Sequence, residues 1–199
     1  MKERIFITGV SGVGKTTLAK WIAEEYGLEY ISTSASKLWP QFGFKNHADA
    51  LKKSMINPIL GYQYQMAIYQ ERVKALAYKD SFVTDRSPID NLVYFLLQQG
   101  YYNEHDTLEM IDFCRKSYVE FQGKTFHLQI PEGFSVEDNG RRIVNLPYQK
   151  LVESVMNSII SEYFNGPEIW AIKSWYFEVK KLQVTLALNS DTSHLNISR

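Results

Sequence analysis

Gly9-Val10-Ser11-Gly12-Val13-Gly14-Lys15-Thr16-Thr17 is the stretch from which the fold of this chain can be predicted. It has the spacing G-x-x-x-x-G-K-[ST], which is typical of a phosphate-binding loop. Residues 4–8, just before it, are a short β-branched and aromatic run that indicates a buried strand. Residues 18–26, just after it, carry apolar side chains at helical spacing, and Gly27 is a typical helix stop. A strand, a glycine-rich loop and a helix in this order are the context that such a loop requires.

Each residue type in the motif has a physical role in holding a phosphate chain. The glycines let the backbone turn tightly and point its N–H groups at the phosphates, and the helix N-terminus adds a partial positive charge. We expect Lys15 to reach the β- and γ-phosphates and the Thr16 hydroxyl to hold Mg²⁺. The predicted nucleotide-binding residues of the loop are Gly9, Ser11, Gly12, Val13, Gly14, Lys15, Thr16 and Thr17.

Composition and charge narrow the class of protein. A chain of 199 residues suits one α/β domain spanning residues 1–199. The 22 Lys and Arg balance the 22 Asp and Glu, so the chain lacks the strongly basic charge that favours nucleic-acid binding. Cys114 is the only cysteine, which predicts no disulfide framework, no cysteine-based metal site and a reducing, cytoplasmic setting. No apolar run approaches membrane-spanning length, and the first strand begins too early to leave room for a signal peptide.

A second signal follows the strand predicted at residues 81–85, which ends in Asp85 and continues into Arg86-Ser87-Pro88-Ile89-Asp90. An acid at the carboxyl end of a strand beside the phosphate-binding loop can hold Mg²⁺ through water or take a proton from an acceptor hydroxyl. Arg86 is then placed to bind a phosphate or an acceptor oxygen with its planar guanidinium. The structural alternative is that Asp85 caps a helix N-terminus and that Arg86 is its surface partner.

A candidate acceptor site follows the second predicted strand at residues 28–31. The polar run at residues 32–36, which contains Ser34, stands at the carboxyl end of that strand, where ligands collect in open parallel sheets. A solvated loop with a helix cap explains it equally well. Residues 33–58 form an aromatic insertion containing Trp39, with one short helix predicted at residues 49–53. The insertion is either a cover for the acceptor or a small hydrophobic cluster of its own.

A loop-rich stretch at about residues 131–146 is the candidate lid. Asn139-Gly140 is a turn signal, and Arg141 and Arg142 follow it. Two arginines beyond such a turn suit a mobile lid that folds over the nucleotide and neutralises charge on the moving phosphoryl group. The alternative is a solvent loop with scattered charges.

Helices and strands alternate along the whole chain. Beyond the segments already named, the patterns predict four helices and two strands: helices at residues 89–99, 103–121, 152–163 and 175–186, and strands at 124–130 and 168–172. This order predicts an α/β fold, a three-layer sandwich with a parallel sheet and helices on both faces.

Together the motifs resemble the P-loop nucleoside and nucleotide kinases, in which the P-loop, an Asp-Arg-Ser run and an arginine-bearing lid occur in this order. In particular the chain is similar to the small AAA-like kinases, which include ribosylnicotinamide kinase domains and phage-encoded nucleotide or DNA-base kinases. In that group an Asp-Arg-Ser/Thr run is followed by a second Asp, and the lid reads Glu-Asp-x-Gly-x-Arg. The matching residues here are Asp85, Arg86, Ser87, Asp90, Glu137, Asp138, Gly140 and Arg142.

The resemblance covers most of the chain and implies a P-loop NTPase fold with a helical lid, acting as an ATP- and Mg²⁺-dependent kinase. It implies that Lys15, Asp85, Arg86 and Arg142 are catalytic, that Thr16 and Asp85 hold the metal, and that Arg141 binds the nucleotide. In such kinases the helix predicted here at residues 59–79 lines the acceptor pocket. The acceptor-binding residues implied are Ser34, Trp39, Gln63, Gln70, Arg72 and Arg86.

One departure bears on the acceptor. Deoxynucleoside kinases usually carry a glutamate base at the end of the second strand, where this chain has Ser32-Thr33-Ser34. We therefore assign the base to Asp85 and expect a (deoxy)nucleoside monophosphate as acceptor.

Three alternatives stay open at this point. The first is a phage-type kinase that phosphorylates 5-hydroxymethyluridine inside DNA, which would require base flipping. Zero net charge argues against it, and the aromatic insertion argues for it. The others are a non-kinase P-loop ATPase and a module that binds nucleotide without chemistry. We expect no membrane partner and leave a homodimer open; for a phage protein the location is the host cytoplasm.

Overall fold

Five parallel strands form one sheet in the computed structural model, which describes residues 3–98, 103–135, 145–164, 169–174 and 176–190. The strands are β1 (Arg4–Gly9), β2 (Glu29–Ile31), β3 (Phe82–Thr84), β4 (Lys124–Leu128) and β5 (Ile169–Ile172). Their order is β2-β3-β1-β4-β5, and every pairing between them is parallel. The predicted parallel α/β sheet is therefore confirmed, with β1 at its centre.

Helices connect these strands. They are α1 (Lys15–Tyr26), α2 (His47–Ile56), α3 (Pro58–Leu76), α4 (Pro88–Gln98), α5 (Glu104–Phe121), α6 (Leu146–Tyr163) and α7 (Phe177–Ser190). Asn57, Asn103 and Asn145 cap α3, α5 and α6, each accepting a hydrogen bond from a backbone N–H in the first helical turn. The cap at Asn145 explains why α6 begins six residues before the periodic apolar run that predicted it.

Side-chain alternation on β1 buries both faces of the sheet. Ile5 and Ile7 lie in the large apolar core that includes residues of α1, α4 and α6. Phe6 points to the opposite face and packs with Leu76 at the end of α3 and with Phe121 of α5. The sheet is therefore a middle layer, and the phosphate-binding loop extends from its best-buried strand.

The insertion after β2 is more regular than predicted. It contains a 3-10 helix at Ala35–Phe42 and the ten-residue helix α2, where the sequence indicated only a short helix at residues 49–53. Asn46 caps α2 by accepting a hydrogen bond from the Asp49 N–H. The insertion packs on α3 as a separate apolar cluster that includes Phe44 and Tyr64.

Most of the predicted lid lies outside the described residues. Residues 136–144 are among those not described, and they include Glu137, Asp138, Gly140, Arg141 and Arg142. In the part of the chain that is described, no helix combines the length and apolar character needed to cross a membrane.

Gly123, which precedes β4, has no room for a side chain. A Cβ there would lie 2.6 Å from the Arg4 carbonyl oxygen and 2.5 Å from the ring of Phe6. We expect Gly123→Ala to lower the free energy of unfolding by about 1–3 kcal/mol, because backbone of the central strand would have to move. Urea denaturation measures this.

Gly43→Ala is the control, since an added methyl group there meets nothing within 4 Å and only the left-handed φ of 66° is strained. Gly43→Ala therefore measures the cost of backbone strain without a clash, and a Gly123→Ala variant as stable as wild type would contradict the steric argument.

Candidate active site

The loop between β1 and α1 has the backbone that the motif predicts. Gly12 and Gly14 have φ values of 94° and 92°, in the left-handed region that side chains other than glycine rarely adopt. Gly9 is constrained by space as well, because a Cβ there would lie 2.4 Å from the Leu128 carbonyl oxygen of β4. The tight turn brings the N-terminus of α1 to the carboxyl edge of the sheet.

Lys15 lies buried at this turn. Its Nζ donates hydrogen bonds of 2.7 Å to both the Gly9 and the Val10 carbonyl oxygens. The ammonium is thereby held against the loop that is predicted to bind phosphate.

Asp85 follows β3, the neighbour of β1, and its side chain reaches the loop. Asp85 Oδ2 accepts hydrogen bonds from the Thr16 hydroxyl at 2.5 Å and from the Tyr30 hydroxyl at 3.0 Å. The structure thus brings together Thr16 and Asp85, the two residues predicted to hold the metal, and Tyr30 is a contact that the sequence did not indicate.

The donor set at this point fits Mg²⁺. A hydroxyl and a carboxylate are the hard oxygen ligands that Mg²⁺ prefers, and this ion is usually held by one or two protein groups together with phosphates and water. Among the described residues no cluster of three His, Cys, Asp or Glu side chains offers an all-protein cage. Thr16 and Asp85 are therefore the residues that would hold the ion.

The helix cap that was the alternative role for Asp85 belongs to other residues. The Ser87 N–H donates to Asp90 Oδ2 at 2.8 Å, and the Asp90 N–H donates to the Ser87 hydroxyl at 3.4 Å. This reciprocal pair is a capping box at the start of α4, with Pro88 at the first helical position. Asp85 is left free to face the loop.

Asp90 is a buried anion with several partners. It accepts hydrogen bonds from the Thr8 hydroxyl at 2.8 Å and from Arg86 at 3.1 Å, and its side chain is 1% exposed. Burial by itself would raise the pKa of Asp90, but the charges of Arg86, Lys15 and Arg72 hold that pKa below its ordinary value. The carboxylate stays ionised and fixes Arg86 in the direction of α4.

Arg72 of α3 joins the same region from the other side. Its guanidinium donates to the Ser87 carbonyl oxygen at 2.7 Å, to the Asn91 side chain and to the Thr33 hydroxyl at 3.3 Å. Burial lowers the pKa of Arg72 to about 10, although the charge of Asp90 opposes that shift. Arg72 therefore ties α3 to the segment that carries Arg86.

A cavity of about 360 Å³ opens beside these groups. Ser11 and Thr16 of the phosphate-binding loop line it, and so does Arg86. The insertion, α3 and α4 contribute further lining residues, among them Ser34, Trp39, His47, Tyr64, Gln65, Arg72, Asn91, Tyr94 and Gln98. The cavity thus adjoins the loop directly.

The polar lining is already oriented. Gln65 Nε2 donates to Gln98 Oε1 at 2.7 Å, and both side chains are buried. Asn91 Nδ2 is buried without a hydrogen-bond partner. Burial, followed by the charge of Arg86, lowers the pKa of His47, so His47 is neutral at physiological pH.

The predicted acceptor residues divide into two groups. Ser34, Trp39, Arg72 and Arg86 line the cavity, and their role in binding an acceptor stays a prediction. The assignment of Gln63 and Gln70 needs correction, because both are exposed and neither lines the cavity.

The helical face explains this correction. Tyr64, Ile68 and Leu76 are spaced at multiples of four residues and are buried, so they define the inner face of α3. Gln65 and Arg72 lie on that face, whereas Gln63 and Gln70 lie on the outer one. Apolar residues occur around most of α3, including the exposed Ile59 and the half-buried Met66 and Tyr69, so no local pattern in the sequence identified Gln65.

Comparisons with known proteins agree with this architecture. Residues 4–163 match the AAA domain family. No curated protein matches the chain significantly.

Among solved structures, the NadR protein in complex with NAD and AMP-PNP is 15% identical at a TM-score of 0.59. The match covers 100% of this chain and 51% of the NadR chain, so this chain spans about half the length of that protein. Deoxyadenosine kinase from M. mycoides with bound dCTP is 15% identical at a TM-score of 0.63, covering 96% and 99% of the two chains. YorR protein from Bacillus subtilis is 12% identical at a TM-score of 0.53, and the match covers 97% of this chain and 98% of the YorR chain. These likenesses show the fold.

Asp90→Asn removes the charge that holds Arg86 and Arg72 together. We expect the free energy of unfolding at pH 7 to fall by about 2–4 kcal/mol, because the buried Arg72 and the partly buried Arg86 lose their anion. The pKa of Asp90 is lower in the folded than in the unfolded protein. The ionised carboxylate therefore stabilises the fold fully above about pH 5, and this contribution declines as the pH falls below about 4. The difference in free energy of unfolding between wild type and variant should therefore become smaller as the pH is lowered over that range, which urea denaturation measures.

Asp112→Asn is the matched control, because Asp112 pairs with Lys116 while both side chains are more than half exposed. Such a pair contributes little to stability. An Asp90→Asn variant as stable as the Asp112→Asn variant would refute the role given to Asp90.

Proposed function

The chain belongs to the AAA domain family, and from that premise we propose that it is an ATP- and Mg²⁺-dependent P-loop kinase. Its acceptor is a small nucleoside-type molecule, a (deoxy)nucleoside or its monophosphate. The donor site is the phosphate-binding loop, and the acceptor site is the 360 Å³ cavity beside it.

One observation carries this proposal: the same cavity is lined by Ser11 and Thr16 of the loop and by Arg86 beyond β3. A non-kinase ATPase has to position only a water molecule, whereas a cavity of this size suits a small organic ligand. A module that merely bound nucleotide would have no need for a second cavity against the phosphate end. The arrangement therefore supports transfer of a phosphoryl group from one ligand to another.

The chain's own residues supply the charge that transfer requires. Lys15 and the N–H groups of the loop bind the phosphate chain, and Arg86 binds the transferred group or the acceptor oxygen. Thr16 and Asp85 would hold Mg²⁺, which when bound would neutralise charge on the phosphates. The role of Asp85 as the base that orients the acceptor hydroxyl stays a prediction from the sequence, because Asp85 is not among the residues that line the cavity. From the sequence, Arg141 and Arg142 are proposed to add further positive charge around the phosphates.

The cavity lining supports a nucleoside-type acceptor. The amides of Gln65 and Gln98 and the unpartnered Asn91 Nδ2 offer donors and acceptors of the kind that read the edge of a base. Trp39 and Tyr94 present aromatic rings to the same cavity, and such rings stack on bases. Of the structures that share this fold, one is a deoxyadenosine kinase with bound dCTP and another is NadR in complex with NR.

A modified base inside DNA is the second candidate, and the aromatic lining is the observation that favours it. A DNA substrate would bring several phosphates, whose binding to cations releases counterions and falls steeply with salt. The binding of a single small acceptor depends only weakly on salt concentration. A screen of γ-labelled ATP against nucleosides, monophosphates, ribosylnicotinamide and hydroxymethylated DNA across a salt series separates the two. Transfer confined to DNA with a steep slope would replace the small-acceptor proposal.

One prediction concerns Lys15, proposed to bind phosphate, and Asp85, proposed to hold the metal. We expect Lys15→Ala and Asp85→Asn each to lower kcat by about a hundredfold or more, because each removes charge that acts on the transferring phosphoryl group. A coupled ATP-consumption assay in the presence of the acceptor measures kcat. The exposed Lys20→Ala, on the outer side of α1, is the control and should stay near wild type. A Lys15→Ala variant with the wild-type kcat would contradict the role proposed for the phosphate-binding loop.

A further prediction separates the two faces of α3. Gln65→Leu removes an amide from the cavity, so it should raise the acceptor KM about tenfold or more while the ATP KM stays unchanged. Gln63→Leu alters an exposed residue of the same helix and should change neither constant. Steady-state kinetics with each substrate varied in turn gives both values. Equal effects of the two variants on the acceptor KM would place the acceptor elsewhere.

A further inference from the structure

We propose that Tyr30 of β2 is a positioning residue of the metal site, whose hydroxyl fixes the Asp85 carboxylate in the orientation in which Asp85 and Thr16 would hold Mg²⁺. This inference rests on the proposed function and deepens it, because Tyr30 belongs to neither the phosphate-binding loop nor the Asp-Arg-Ser run. Tyr30 acts through Asp85 and does not itself line the acceptor cavity.

The place of Tyr30 in the sheet directs its hydroxyl to the carboxyl edge. β2 pairs in parallel with β3, and Tyr30 lies beside Val83, two residues before Asp85. The Tyr30 ring packs against the large apolar core, to which Val83 also belongs. A tyrosine side chain has only two rotatable χ angles, so a ring held by the core presents its oxygen at one place. That oxygen lies 3.0 Å from Asp85 Oδ2.

Both hydroxyl groups that contact Asp85 donate to the same carboxylate oxygen. Thr16 and Tyr30 donate to Oδ2, at 2.5 Å and 3.0 Å, and across the described residues no other group forms a hydrogen bond with this carboxylate. The Thr16 hydroxyl uses its single proton in this bond and keeps lone pairs on its oxygen. Asp85 Oδ1 and Thr16 Oγ1 are therefore the two oxygens left to hold the ion, directly or through water.

Tyr30 adds a restraint that Thr16 alone does not provide. A carboxylate with one hydrogen bond can turn about that bond, whereas two donors from different elements, α1 and β2, restrict this rotation. Thr16 would itself contact the ion, so within the described residues Tyr30 is the one partner of Asp85 that serves only to orient it. Removal of a group that orients a metal-binding side chain typically changes metal affinity by about 10–100-fold.

Tyr30→Phe tests this role, because it removes the hydroxyl and keeps the ring that packs against the core. Calorimetric titration of the full chain with AMP-PNP, once with Mg²⁺ and once with EDTA, measures nucleotide affinity with and without the metal. We expect Tyr30→Phe to lower the affinity measured with Mg²⁺ about tenfold. The affinity measured in EDTA should stay within about twofold of wild type.

Steady-state kinetics separates positioning from a general structural defect. Tyr30→Phe should raise the free Mg²⁺ concentration that gives half the maximal rate about tenfold. Its kcat at saturating Mg²⁺ should return to within about threefold of wild type, because Asp85 is intact, and its acceptor KM should not change. A purely structural role would instead lower kcat at every Mg²⁺ concentration, which would contradict the inference.

Tyr62→Phe is the matched control. Tyr62 of α3 also donates its hydroxyl to a carboxylate, Glu109 Oε2 at 2.6 Å, and neither residue lines the cavity. Its substitution should change neither the Mg²⁺-dependent affinity for AMP-PNP nor the Mg²⁺ requirement of the reaction. Thermal unfolding of the ligand-free proteins verifies that both variants fold.

A double-mutant cycle shows whether Tyr30 acts through Asp85. In the Asp85→Asn background, Tyr30→Phe should cause no further loss of Mg²⁺-dependent affinity. An additional loss as large as that in the wild-type background would overturn the inference. So would a Tyr30→Phe variant with the wild-type affinity for AMP-PNP in the presence of Mg²⁺.

The inference and the proposed function fail in different ways. If Mg²⁺ raises the affinity of wild type for AMP-PNP and Tyr30→Phe keeps the full effect, only the role of Tyr30 is wrong. If wild type binds no nucleotide, or binds it equally well with Mg²⁺ and with EDTA, the proposed Mg²⁺-dependent function fails together with the inference.

Discussion

The buried carboxylate of Asp90 is the interaction on which the arrangement of the candidate site depends. It accepts hydrogen bonds from Thr8 at the end of β1, from Arg86 after β3 and from Ser87 at the start of α4. A buried anion is tolerated only when it is paired and hydrogen-bonded, so these three segments must meet at this point. As a result, the end of the central strand, the loop that follows it and the cavity lie next to one another.

The two carboxylates of the Asp-Arg-Ser-Pro-Ile-Asp run have separate tasks as a result. Asp90 closes the capping box with Ser87 and holds Arg86, which leaves Asp85 to face the Thr16 hydroxyl. Spacing of five residues puts one acid at the end of a strand and the other on the first turn of a helix. The short motif therefore contributes both the oxygen proposed to bind the metal and the anchor that fixes the arginine beside the cavity.

Predictions from the sequence succeeded where the determinant is local. The glycines of the loop, the buried strand before it and the order of strands and helices all depend on neighbouring residues, and the parallel sheet followed from them. The inner face of α3 depends on what packs against it, so the sequence indicated the exposed Gln63 and Gln70 as acceptor residues and did not single out the buried Gln65. The contacts of Tyr30 with Asp85 and of Lys180 with Val13 join residues 55 and 167 positions apart, which no local pattern indicates.

The two halves of the site therefore differ in how their geometry is maintained. The nucleotide half is a contiguous stretch whose backbone is set by its own glycines. The acceptor half exists only because α3, α4 and the insertion pack together: Trp39 donates to the Tyr64 hydroxyl, Gln65 pairs with Gln98 across two helices, and Arg72 ties α3 to the arginine-bearing segment. Changes in the apolar cluster beneath the insertion alter the acceptor cavity without reaching the loop. If the cavity binds the acceptor as proposed, acceptor preference depends on this packing and not on the phosphate-binding loop.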